Sequence, residues 1–172
     1  TPLYSSAASD VYKRQRLGPM LVEAGHGVTG LHRRPDQADK LLSAGITPWL
    51  GDIMFMSVAE LAVATRDCDV VVFTAGAAGS GPERTTAIDG EGVIKTVHAA
   101  RANGIARVYL VSAFMDAGRA QPRKDGFEHY MKVKRQADNA LAQSELDWVI
   151  LRPGTLVSED GNGRVNAGLA IS

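Results

Sequence analysis

At 172 residues the chain has room for one domain with a sizeable core, and 45 % hydrophobic with 22 % charged residues is ordinary for a globular protein. Its 19 basic and 19 acidic side chains cancel, which argues against nucleic acid or an anionic membrane as a partner. The single cysteine, Cys68, excludes a disulfide framework and fits the reducing cytoplasm. No apolar run is long enough to span a membrane, and His26, His32, His98 and His129 are too scattered for a metal site.

In chain order, residues 1–15 read as neither strand nor glycine-rich loop, and Leu17 to Ala24 reads as the tail of a helix. Gly27-Val28-Thr29-Gly30-Leu31 is the first clear strand: a short apolar run of the kind buried on both faces of a parallel sheet. Pro35 opens a helix from Asp36 to Ala44, and Gly45 ends it. Ile46 to Leu50 reads as a second strand, which Pro48 assigns to a sheet edge because proline has no amide to give a neighbour. Ser57 and Glu60 form a capping box for a helix to Thr65. Asp69 to Thr74 is the strongest strand, followed by a long helix from Thr85 to Asn103 and a strand from Arg107 to Ser112. A polar loop with Gly118, Pro122 and Gly126 leads to a helix from Glu128 to Gln143, and Asp147 to Leu151 is the last strand.

Regular alternation of strand and helix predicts right-handed crossovers and an α/β, doubly wound parallel sheet. Such sheets bind ligands at the carboxyl ends of their strands, so the residues there carry the functional reading. His32-Arg33-Arg34 ends the first clear strand, with no acid before Asp36. In a dinucleotide-binding sheet this position faces the adenosine ribose. Arg33 and Arg34 would accept a 2′-phosphate there through forked donors, whereas an acid would bind a free hydroxyl. After the next strand, Asp52 would accept from an adenine amino group while Ile53 packs on the ring. Thr74-Ala75-Gly76 offers small residues that let a ribose approach the backbone. Ser112 ends its strand, and Tyr130 and Lys134 lie one turn apart on the following helix. A phenol with a pKa of about 10 is a poor acid–base group at neutral pH, and an ammonium beside it would lower that value. Tyr130 would then exchange a proton with a substrate oxygen that Ser112 holds, and Lys134 would bond a nicotinamide ribose. The last strand exits through Arg152-Pro153-Gly154, with Pro153 shaping the nicotinamide side. The loop from Met115 to Phe127 and the region after Pro153 would line the substrate pocket.

These residues, in this order and spacing, resemble the NAD(P)H-binding, NmrA-like branch of the atypical short-chain dehydrogenases/reductases. The resemblance runs from Gly25 to Asn166. It is carried by G-H-G-V-T-G-L-H-R-R-P, the G-D-I turn, V-V-F-T-A-G, I-D-G-E-G-V-I-K, R-V-Y-L-V-S-A, H-Y-M-K-V-K-R-Q-A-D and L-D-W-V-I-L-R-P-G-T-L. It implies a Rossmann fold, a cytoplasmic location, bound NADP with NAD as the alternative, and a small-molecule substrate, and it leaves the oligomeric state open. The activity it implies is hydride transfer to or from a small carbonyl or alcohol. A redox sensor without chemistry and a nucleotide-sugar epimerase are the other readings.

The ends depart from that pattern. The family opens with a strand and G-x-x-G-x-x-G, and neither is recognisable in residues 1–15; Gly18 stands too near Gly25 to be the motif's last glycine. Tyr4 to Gln15 resembles translated sequencing-adapter sequence. The expectation is therefore a non-native or disordered leader over residues 1–15 and a partial Rossmann domain over 16–172. Its sheet would lack the central first strand and be incomplete at the C-terminus as well, with the activity belonging to the intact parent and the present chain inactive.

Overall fold

The computed structural model describes residues 2–6, 11–114, 126–154, 163 and 168, with the account of residues 2–15 confined to backbone. Strands and helices alternate: β1 (Pro2–Ser6), α1 (Val11–Glu23), β2 (Gly27–His32), α2 (Ala38–Ser43) behind a 3-10 turn at Pro35–Gln37, β3 (Thr47–Leu50), α3 (Val58–Ala64) and β4 (Val70–Phe73). There follow α4 (Pro82–Arg84), a π-helical segment Thr85–Glu91, α5 (Gly92–Ala102), β5 (Arg107–Val111), α6 (Phe127–Ala142) and β6 (Asp147–Leu151). The six strands form one parallel sheet in the order β3-β2-β1-β4-β5-β6, the doubly wound Rossmann arrangement. β3 is an edge strand, where the amide that Pro48 lacks is not missed. The capping box forms as expected: Ser57 Oγ accepts from the Glu60 N–H at 3.2 Å, and the Glu60 carboxylate accepts from the Ser57 N–H at 2.8 Å.

The N-terminus differs from the sequence expectation. The central slot, expected to stand open, holds Pro2–Ser6, with Leu3 paired to Val28 on one side and to Val70 on the other. Helix α1 starts at Val11, six residues before the Leu17 expected as its first recognisable residue. The physical reason is that a parallel ladder is made by backbone N–H and C=O groups, so an extended segment of unremarkable composition can complete it. The proline stands at the first strand position, where it is tolerated. Residues 7–10, where a phosphate loop would lie, are outside the described residues, as are 115–125 and 155–162, expected around the substrate pocket.

Side chains alternate across the sheet. Leu31, Val71, Phe73, Val108 and Leu110, all buried, join Leu61, Ile88, Val93, Val97, Ala137 and Leu141 in the main core under α3, α5 and α6. Val28 points the other way and packs with Leu41 and Ile46, flanked by Leu21 and Val22 of α1. Gly30 shares that face, where a Cβ would stand 3.1 Å from Ile46 and 3.3 Å from Leu41, so its bareness lets α2 lie close to the sheet. All these helices pack so that the carboxyl ends of the strands share one rim.

Because β1 is the only shared neighbour of β2 and β4 in this order, deleting residues 1–6 should abolish the cooperative thermal transition and drive the protein into aggregates on size exclusion. An unchanged melting curve and monomer peak would mean that the central slot is not what residues 2–6 provide.

Candidate functional site

The residues expected to act together all fall on the carboxyl rim of the sheet. Arg33 and Arg34 follow β2, Asp52 and Ile53 follow β3, Thr74 to Gly76 follow β4, Ser112 follows β5, and Pro153 follows β6. Tyr130 and Lys134 lie in the first two turns of α6, which begins on the same side.

The strongest feature is a buried charge pair. Lys134 Nζ lies 3.6 Å from Asp89 Oδ1, and both side chains are 3 % exposed. The other carboxylate oxygen, Asp89 Oδ2, accepts the Ala77 N–H at 2.8 Å, fixing the loop after β4. Lys134 Nζ also donates to the Val111 carbonyl at 3.2 Å, at the last residue of β5. The next residue, Ser112, gives its N–H to the Leu151 carbonyl of β6 at 2.7 Å, and Phe114 gives its N–H to the Pro153 carbonyl at 3.2 Å. One ion pair thus joins the exits of β4 and β5, and backbone bonds carry the tie on to β6.

Asp89 reaches this position because it sits in the π-helical segment, whose wider turn re-aims side chains relative to an α-helix. Gly90 beside it makes room for α6: a Cβ there would stand 2.9 Å from Val133 Cγ1, next to Lys134. Sequence reasoning passed over Asp89, although it lies in the I-D-G-E-G-V-I-K segment. The available signal was an acid flanked by Ile88 and Gly90 at the start of a long helix.

Ser112 is 6 % exposed, and its Oγ has no hydrogen-bond partner among the described residues. A buried hydroxyl left open at a strand end is a ready contact for a ligand oxygen or amide. Tyr130 is half-buried. Burial, followed by the charges of Asp89 and Asp138, pushes its phenol up to about 12. The expected lowering by Lys134 is therefore overturned: the ammonium is held against Asp89, and the carboxylates oppose the phenolate. Asp138, one turn beyond Lys134, is buried and accepts from Arg152 Nε at 2.9 Å, which ties the exit of β6 to α6.

The turn after β3 is arranged by a second lysine. Lys95 of α5 donates to the carbonyls of Ile53 at 2.6 Å, Met54 at 3.3 Å and Met56 at 2.8 Å, and so clamps the turn after β3. Burial lowers its pKa, while Glu91, Asp52 and Glu60 oppose that shift. Asp52 uses Oδ1 to accept the Met54 N–H at 3.0 Å within this turn. Ile53 is fully buried under α5 and cannot pack on a ligand ring, a correction to the sequence expectation. An apolar side chain after an acid does not reveal which way the turn aims it. Arg33 and Arg34 are exposed. Arg34 Nε lies 3.2 Å from Asp36, and the Arg34 carbonyl is bonded to the buried His32 ring at 2.9 Å. Among the described residues no group of His, Cys, Asp and Glu is placed to hold a metal ion, and no helix is long and apolar enough to cross a membrane.

A parallel sheet in this order, with small residues, basic residues and an open buried hydroxyl along its carboxyl rim, defines a Rossmann-type nucleotide-binding protein. The chain belongs to the NAD(P)H-binding family, whose model matches residues 15–170. It is 35 % identical over 143 residues to the "Uncharacterized sugar epimerase YhfK" of Bacillus subtilis, covering 83 % of this chain and 66 % of that protein. It is 40 % identical over 124 residues to the UPF0659 protein YMR090W of Saccharomyces cerevisiae, covering 69 % of this chain and 53 % of that one. The chain thus spans less than two thirds of either relative's length. Among solved structures it is similar to a "Putative NAD-dependent epimerase/dehydratase from Bacillus halodurans", with a TM-score of 0.82 and 29 % identity over 94 % of this chain and 74 % of that one.

The close contact at Gly90 yields a stability test. Gly90→Val would drive Val133 and α6 outward and should lower unfolding stability by about 1–3 kcal/mol, read as a shift of the urea midpoint. An unchanged midpoint would mean that α6 does not depend on that close approach.

Proposed function

We propose that the chain carries the nucleotide site of an NADP(H)-preferring reductase acting on a small carbonyl compound. The observation that supports this most is the open, buried Ser112 hydroxyl on the rim that also carries Tyr130 and Lys134. The residues on this rim fit a nicotinamide nucleotide. Arg33 and Arg34 would hold the 2′-phosphate, the turn at Asp52 the adenine, and Thr74 to Gly76 and Pro153 the nicotinamide half. When bound, a reduced nicotinamide nucleotide supplies a hydride.

The protein's own part is to hold the carbonyl oxygen and give it a proton. Ser112 Oγ donates a hydrogen bond to that oxygen, and Tyr130 delivers the proton as negative charge develops there. The alcohol that results carries the hydride on carbon and the Tyr130 proton on oxygen, and solvent restores the phenol. Tyr130 gives the proton in the direction of carbonyl reduction and takes it back in the reverse direction.

Epimerase chemistry is the second reading, because similar proteins carry that description. It would start with Tyr130 taking a proton from a sugar hydroxyl. A redox sensor without chemistry is the third.

The test uses NADPH with 9,10-phenanthrenequinone as a hydride acceptor. Tyr130→Phe should lower turnover by about 10²–10⁴-fold while leaving NADPH affinity in place. Arg33→Ala with Arg34→Ala should cut the preference for NADPH over NADH by about tenfold. Equal turnover in Tyr130→Phe would rule out the proton-donor role, and an unchanged preference would remove the arginines from the site.

A further inference from the structure

The turn after β3, to which the reductase reading gives the adenine, is held by one side chain from another helix. We propose that Lys95 is a positioning residue that makes this site selective for adenine: by fixing three carbonyls of the turn, it presents the Ile53 N–H and the Asp52 carboxylate as a matched donor and acceptor for the edge of a 6-aminopurine. This role for Lys95 rests on the nucleotide reading of the rim.

Lys95 Nζ, reaching from α5, donates to the Ile53 carbonyl at 2.6 Å, the Met54 carbonyl at 3.3 Å and the Met56 carbonyl at 2.8 Å. An ammonium has three N–H donors, so all are spent on the turn and none is left for a ligand. Lys95 therefore acts through the backbone it holds. Inside the turn, the Asp52 carbonyl accepts the N–H groups of Phe55 and Met56, both at 2.9 Å, and Asp52 Oδ1 accepts that of Met54 at 3.0 Å. A trans peptide aims its N–H opposite its C=O, so the Ile53 N–H is turned away from these bonds. Neither that N–H nor Asp52 Oδ2 has a hydrogen-bond partner among the described residues. One donor and one acceptor thus stand on adjacent residues.

Adenine carries an amino donor at C6 beside an acceptor at N1, the complement of this pair. Hypoxanthine reverses both, with a carbonyl at C6 and an N–H at N1, and would set donor against donor and acceptor against acceptor. The distinction holds only while the peptides of the turn keep their orientation, and three of their carbonyls are oriented by Lys95. The turn has a second anchor in the Ile53 side chain, fully buried against α5, where a Cβ on Gly92 would stand 3.1 Å from Ile53 Cγ1. Loss of the ammonium thus frees the carbonyls while leaving the turn seated on the core.

The experiment compares NADPH with reduced nicotinamide hypoxanthine dinucleotide phosphate, which differs from it only at C6 and N1 of the base. Nucleotide fluorescence gives the Kd of each for wild type and for Lys95→Met, which keeps the stem and removes the donors. Wild type should favour NADPH by about tenfold or more. Lys95→Met should bring the two affinities within about threefold of each other, mainly by weakening NADPH. A clamp that only supports the fold would weaken both nucleotides alike, so an unchanged ratio in Lys95→Met overturns the assignment. If Lys95→Met does not fold, Lys95→Gln, which can still hold one carbonyl, is read in the same way: a fallen ratio supports the role and an unchanged one overturns it. Absence of binding by both nucleotides to wild type would end the nucleotide reading and the role of Lys95 with it. Binding of both with equal affinity would end the role of Lys95 alone.

Discussion

The ion pair between Asp89 and Lys134 is the contact on which the rest of the site depends. It draws α6 against the exits of β4 and β5, and the backbone bonds from Ser112 and Phe114 extend that alignment to β6. Both partners are withdrawn from water, so removing either one breaks a buried ion pair, a loss of about 3–5 kcal/mol. Three features of the sequence make the pair possible. The π-helical segment aims the carboxylate inward, Gly90 admits Val133, and the spacing along α6 puts Lys134 one turn beyond Tyr130.

The same contact gives the rim its chemical character. Ordinarily a lysine beside a tyrosine makes the phenol easier to ionise. Here burial raises the phenol most, and the charges of Asp89, paired with Lys134, and Asp138, paired with Arg152, add to it. The rim also carries the Tyr130 phenol and the Ser112 hydroxyl, whose Oγ has no hydrogen-bond partner among the described residues. The turn after β3 is built on a separate clamp, Lys95 on three carbonyls, so the two halves of the rim are fixed by different lysines reaching from different helices.

Much of this was legible in the sequence because it depends on periodicity. Short apolar runs separated by amphipathic stretches gave the parallel sheet, Pro48 marked its edge, and Ser57 with Glu60 marked a helix start. The positions of Ser112, Tyr130 and Lys134 on the carboxyl rim followed from that order. β1 was not legible, because its place in the sheet is made by backbone pairing, which leaves no pattern in side chains. The inward turn of Ile53 and the lysine clamp beside it depend on local loop geometry that a residue string does not encode. Asp89 escaped notice because an acid in a helix usually faces solvent, and the π-helical turn aims this one into the core.

The central claim is that a nicotinamide nucleotide lies along this rim. It is tested most directly by following backbone amide signals in a ¹⁵N–¹H NMR titration of the 172-residue chain with NADPH, which detects weak as well as tight binding. The account predicts that the largest changes fall at Arg33 and Arg34, at Thr74 to Ala77 and at Ser112, on the exits of β2, β4 and β5. Changes confined to the opposite end of the sheet, or no change at millimolar nucleotide, would contradict it.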